Sequence, residues 1–118
     1  MSQKLLDAGP KLFALTRHLV RLPQLIPTSD GACEVVAVGE DVTKWAVGDR
    51  VIATFAPDYL AGEFDATYFS SLLGGQAHGM LSQYRILEDY NLVRIASHLS
   101  YEEAATLPCA ALTAWNAL

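Results

Sequence analysis

Cysteine is scarce in this sequence. Cys33 and Cys109 stand far apart, with no CxxC pair and no histidine at metal-like spacing from either. That excludes a zinc ribbon and a disulfide framework, and it leaves two free thiols suited to a reducing compartment. Cations are scarce as well: 8 Lys and Arg face 13 Asp and Glu, for a net charge of −5. Lys4, Lys11, Arg17 and Arg21 fall in residues 1–25 against Asp7 alone, so residues 26–118 carry −8. A body this acidic, with no basic stripe, repels phosphate backbones and is not built for nucleic acid. No G-x-G-x-x-G dinucleotide fingerprint occurs, and Gly74-Gly75 is no substitute, because no strand-turn-helix unit surrounds it.

Lipid-compatible runs are missing too. Residues 66–84 carry no formal charge, but Ser70, Ser71, Gln76, His78, Ser82 and Gln83 make them too polar for a bilayer. Residues 104–118 are more apolar, yet short, and they hold Pro108. No membrane span is expected. No internal repeat or low-complexity tract is present. What is there is a chain of 118 residues, 52% hydrophobic, enough for one modest globular domain.

Residues 1–25 read as an amphipathic helix. Pro10 is placed to start it, Leu12, Leu15, Leu19 and Leu22 recur at three- and four-residue steps, and Pro23 stops it. Its basic bias suits a mitochondrial presequence as an alternative to a plain helix, whereas Asp7, Lys11 and Arg17 interrupt any secretory apolar region. From Ile26 the texture changes. Pro27-Thr28-Ser29-Asp30-Gly31 is turn chemistry, and Ala32 to Val38 is a strand buried on both faces. Gly39 and Gly48 sit where hairpin turns require positive φ, with Asp49 accepting bonds from turn amides. A second strand follows over 51–55. Residues 57–73 lack periodicity and are rich in aromatics, a long partly structured loop. Residues 80–87 alternate as a strand, and 92–95 form a short one. Ser100 and Glu103 have the spacing of a capping box, so a helix begins near Tyr101; Pro108 interrupts it, and a second helical run starts near Cys109.

Four strings, taken in order, resemble the medium-chain dehydrogenase/reductase superfamily. They are Pro27-Thr28-Ser29-Asp30-Gly31-Ala32 through Gly39, Val42 through Gly48-Asp49-Arg50-Val51, Leu73-Gly74-Gly75 through Gly79 to Tyr84, and Leu99 to Leu118. The last is similar to the family's crossover helix. The resemblance implies a mainly β fold with helices (α+β). Residues 26–118 would be a partial GroES-like β-barrel, and 101–118 the helical start of a link to a nucleotide-binding Rossmann domain absent from this chain. Residues 1–25 stand outside the match as a helical segment.

Departures from the pattern decide which chemistry carries over. Zinc-dependent members have Gly-His-Glu where this chain reads Thr28-Ser29-Asp30, and Ser29 cannot replace a ligating imidazole. Cys109 falls at another ligand position, and alone it is half a site. The resemblance is therefore to the zinc-independent branch, alcohol dehydrogenase-like and quinone oxidoreductase-like proteins in which the nicotinamide supplies the hydride and the protein positions and polarises. It places Thr113 at the position that approaches the nicotinamide, as the candidate cofactor-binding residue; the alternative is a helical threonine bonding back to a carbonyl. No catalytic residue is identified. His78 lies between glycines and reads as a solvated loop histidine.

The expected function is that of a fragment of an NAD(P)-dependent oxidoreductase acting on alcohols, carbonyls, quinones or activated alkenes, inactive on its own. The complete relative would use NADP or NAD, with no zinc, and this chain alone would bind neither. A non-catalytic binding or scaffold module is the alternative. Expected partners are a small-molecule substrate and a second copy of the chain, with no nucleic acid and no membrane, in the cytoplasm or alternatively the mitochondrion.

Overall fold

The computed structural model describes residues 11–15 and 25–118. Five strands form one open sheet: β1 (Lys11–Leu15), β2 (Ala32–Val38), β3 (Arg50–Ala53), β4 (Tyr84–Glu88) and β5 (Leu92–Arg94). Their order is β4-β1-β2-β3-β5, and the described neighbours are all antiparallel. The sheet is not closed, so β4 and β5 are its edges. Two short helices, α1 (Tyr101–Ala104) and α2 (Leu112–Asn116), follow the strands. This is the mainly β fold with helices, an incompletely closed sheet followed by helical turns, that the resemblance implies.

The expected N-terminal helix is corrected over residues 11–15. That segment is a strand, pairing Leu12 with Val38 on one side and Leu87 on the other. A run of four apolar residues fits either a helical step or a strand, and here the open backbone edges of β2 and β4 decide, because each unpaired ladder group is costly. Residues 1–10 and 16–24 lie outside the described residues, and with them Pro10, Leu19, Leu22 and Pro23. β1 also supplies a strand that the sequence reading assigned to a missing part of the barrel.

β2 is not buried on both faces. Cys33 and Val35 point into the core while Glu34 between them is exposed. The main core joins them to Val42, Trp45, Val51 and Ala53, and to Leu73, Met80, Leu87 and Leu92. Burial pushes the Cys33 thiol up to about 12, so it stays protonated at neutral pH. Trp45 donates its indole N–H to the Asp89 carbonyl at 2.8 Å and is flanked by Lys44 and Arg94, each 5.1 Å from its ring centre. A second, smaller cluster of Ile52, Ile95 and Ala104 lies on the opposite face of β3, because successive side chains alternate.

Gly48 has φ +93°, as its turn requires, and Asp49 accepts from the Ala46 amide at 2.9 Å as expected. Gly39 does not share that conformation; the positive-φ glycines among the described residues are Gly48, Gly62 and Gly74. Strand β4 begins at Tyr84, not Met80, because residues 79–81 pair with the loop at 26–28 instead. The capping box forms: Ser100 Oγ accepts from the Glu103 amide at 3.1 Å, and Glu103 Oε2 from the Ser100 amide at 2.8 Å.

Candidate functional site

The chain between β1 and β2 turns through a strained loop. Thr28 has φ +66°, the left-handed region that a β-branched residue rarely enters. Two glycines hold it there. The Gly79 amide donates to the Ile26 carbonyl at 2.6 Å, the Met80 amide to Thr28 at 2.8 Å and the Leu81 amide to Pro27 at 3.2 Å. A Cβ on Gly79 would stand 2.0 Å from the Thr28 carbonyl oxygen, and one on Gly74 2.6 Å from the Thr28 carbonyl carbon. The close crossing of these backbones is therefore conditional on both glycines. Exposed His78 joins the same knot, its Nδ1 accepting from the Ile26 amide at 3.1 Å.

This loop leads into Ser29 and Asp30, which face the segment after α1. The Ser29 hydroxyl donates to Asp30 Oδ1 at 2.9 Å, and the Ala110 amide donates to Asp30 Oδ2 at 3.2 Å, a contact across eighty residues of sequence. Ala110 lies in a π-type turn, Leu107–Ala111, where Pro108 removes a donor and the Ala111 amide reaches back to the Thr106 carbonyl at 3.0 Å. The expected break at Pro108 is thus real but narrow: the turn runs directly into α2.

Between this turn and β3 lies a cleft of about 510 Å³. One wall is β3 and β5, through Ile52, Ala53 and Val93; another is the turn and α2, through Leu107, Pro108 and Leu112. The loop after β3 supplies Phe55, Tyr59 and Phe64. Among the described residues, the hydroxyls of Thr54 and Thr113 and the half-buried thiol of Cys109 are the polar side-chain groups on this lining besides the Tyr59 phenol, and no charged side chain contributes to it.

Thr113 therefore stands on the cleft. Among the described residues its hydroxyl has no hydrogen-bond partner, in contrast to Thr106, which bonds back to the Glu103 carbonyl at 2.8 Å. The sequence reading did not find the Asp30–Ala110 contact or the aromatic wall, although it noted both the acid at position 30 and the density of rings in residues 55–69.

A family model, the alcohol dehydrogenase GroES-like domain, matches residues 8–97. The chain belongs to that family. The GroES-like match begins well before residue 26, in keeping with the strand at 11–15. This GroES-like chain is 43% identical over 107 residues to the zinc-type alcohol dehydrogenase-like protein C1773.06c of Schizosaccharomyces pombe, covering 88% of this chain and 31% of that protein. It is 32% identical to quinone-oxidoreductase QR1, chloroplastic, of Triphysaria versicolor, covering 79% of this chain and 23% of that one. A solved structure from Sinorhizobium meliloti 1021, of a protein designated an alcohol dehydrogenase, superposes with a TM-score of 0.80 at 35% identity, covering 94% of this chain and 38% of that one. The GroES-like chain thus spans about a quarter to two fifths of the length of these relatives, and it is a member of the medium-chain dehydrogenase/reductase superfamily to which alcohol dehydrogenases and quinone oxidoreductases belong.

The Ser29 hydroxyl donates to Asp30, and Asp30 is engaged by a main-chain amide. No three His, Cys, Asp or Glu side chains converge among the described residues. No helix among the described residues is long and apolar enough to cross a membrane.

Proposed function

We propose that this chain forms the substrate side of a zinc-free, NAD(P)-dependent oxidoreductase acting on an alcohol, carbonyl, quinone or activated alkene, and that it does not turn over without a nucleotide-binding domain. The observation that carries the reading is the cleft between β3 and α2, mostly apolar and with an unengaged Thr113 hydroxyl on its wall. When bound, the nicotinamide supplies or accepts the hydride. This chain's own share is to exclude water with Ile52, Val93 and Leu112 and to orient the reacting ring and carbonyl through the hydroxyls of Thr113 and Thr54. Nothing in it supplies a pyrophosphate site, since no glycine fingerprint leads into a helix. The free thiols favour the cytoplasm as its compartment.

The test is a titration of the chain with NADPH and NADH, followed by nicotinamide fluorescence. No saturable binding is expected in the micromolar range, and saturation there overturns the claim of dependence on a second domain. Joined to a nucleotide-binding domain, the chain is expected to oxidise NAD(P)H on carbonyl substrates with no loss of rate under a zinc chelator, and Thr113→Ala to lower that rate by at least about tenfold. A second reading, a non-catalytic binding module, is favoured by one feature: Leu112 and Trp115 of α2 are 59% and 79% exposed. Turnover by the joined protein decides against it.

A further inference from the structure

We infer that the cleft is selective for flat aromatic or conjugated ketones, and that Phe64 and Tyr59 set this preference. The inference rests on the reading of the cleft as the substrate site. Its volume, about 510 Å³, suits a molecule of one or two fused rings. A polyol or sugar phosphate entering it would leave its hydration behind with two threonine hydroxyls and a thiol to replace it, and a phosphate would meet no cation among the described residues of the lining. An uncharged ligand with one carbonyl matches that supply.

The aromatic wall narrows the class further. Phe64 is packed edge-on against Tyr59, with ring centres 5.4 Å apart at 70°, and against Phe69, 5.4 Å apart at 84°. Tyr68 closes the group at 5.7 Å from Phe64 and 5.5 Å from Tyr59. The Tyr59 phenol donates to the Gly62 carbonyl at 2.6 Å, which fixes its ring and turns its polar end to the backbone. Four mutually braced rings lose little freedom when a fifth joins them. None of the four belongs to either hydrophobic core, and Phe64 and Phe69 each stay 48% exposed. The fold does not use them as core; a ring-bearing ligand in the adjoining cleft does.

Ligand-observed NMR on the 118-residue chain tests this with three probes: 2-acetonaphthone, cyclohexyl methyl ketone and sorbitol. The naphthyl ketone is expected to bind at least about fivefold more tightly than the cyclohexyl ketone, with sorbitol showing no saturable binding. Phe64→Leu is expected to bring the two ketones within about twofold, as is Tyr59→Leu, whereas Tyr59→Phe keeps the preference. Because both rings are surface residues, the variants fold, and circular dichroism checks that they do. Equal affinity for the two ketones in the parent chain, or a preference that survives both leucine variants, overturns the aromatic selection and leaves the cleft as substrate site intact. Absence of binding by every probe overturns both.

Discussion

Replacing Gly79 with alanine tests the backbone crossing on which the cleft depends. The new Cβ would stand 2.0 Å from the Thr28 carbonyl oxygen, 2.3 Å from that of Pro27 and 2.6 Å from the Pro27 carbonyl carbon. Real contacts of this kind begin near 3 Å, so the two backbones must separate by about 1 Å, and backbone cannot rotate away as a side chain can. That separation breaks the hydrogen bonds that the amides of Gly79, Met80 and Leu81 donate to the carbonyls of residues 26–28. At about 1 kcal/mol each they account for about 3 kcal/mol, and the movement also draws Met80, 2% exposed, from the core. On the far side Met80 is already tight against Gly31, where a Cβ would meet it at 2.6 Å, so the strand end has no room to retreat.

The expected loss is therefore about 3–5 kcal/mol, a large part of the stability of a domain this size. In urea it lowers the midpoint by about 1.5–3 M, read from the fluorescence of Trp45. Gly62→Ala is the control: its φ of +91° is strained for alanine, but nothing lies within 4 Å, so it should cost only about 1–2 kcal/mol. A Gly79→Ala loss below about 1 kcal/mol, with amide exchange at 79–81 unchanged, refutes the reasoning.

Thr28→Gly should relieve left-handed strain and, after the added freedom of the unfolded chain, leave stability unchanged or raised by up to about 1 kcal/mol in the same urea assay; a loss above that contradicts the strained geometry. Asp30→Ala should leave the Ala110 amide without its acceptor and raise its hydrogen exchange by about tenfold, while exchange in β2 and β3 stays fixed. Asp49 is held below the usual carboxylate range, first by the Arg94 guanidinium and then by the Ala46 amide. The unfolded state therefore binds more protons in acid, so the contribution is complete above the ordinary carboxylate pKa and disappears as pH falls through the lowered folded value; Asp49→Asn should flatten the urea midpoint across that acid range. Iodoacetamide at pH 8 should label Cys109 and spare Cys33, which is 1% exposed and titrates near 12, until denaturant is added; equal labelling in the folded chain contradicts the burial of β2.

Short-range chemistry was legible in the sequence. The Ser100–Glu103 capping box, the Gly48-Asp49 turn and the break at Pro108 each depend on residues within five positions of one another, and each stands in the structure. Where a segment's partner is distant, pattern failed. Lys11 to Leu15 carries leucines at helical spacing, yet it lies between β2 and β4 as a strand because their free edges need pairing. Residues 80–83 alternate like the strand that follows them, but the nearer partner is the loop at 26–28. In the cleft, the family pattern singled out Thr113 as a candidate cofactor contact, and the structure has it on the lining. The joining of Phe64 and Tyr59 to its wall was not legible, because an aperiodic loop carries no signal for which rings meet.

The segment from Ile26 to Asp30 links these observations. Its carbonyls receive the amides of 79–81, its Thr28 takes a backbone conformation that favours glycine, and its Asp30 reaches the turn that begins α2. Strain at Thr28 is therefore not local waste: it turns the chain sharply enough that one carboxylate meets an amide eighty residues away, on the element that carries Cys109 and Thr113. The cleft is bounded by β3 on one side and by that element on the other. Its width then follows from main-chain bonds and two bare glycines, and any substitution that gives Gly74 or Gly79 a side chain should reach Thr113 through Asp30 as well as the core through Met80.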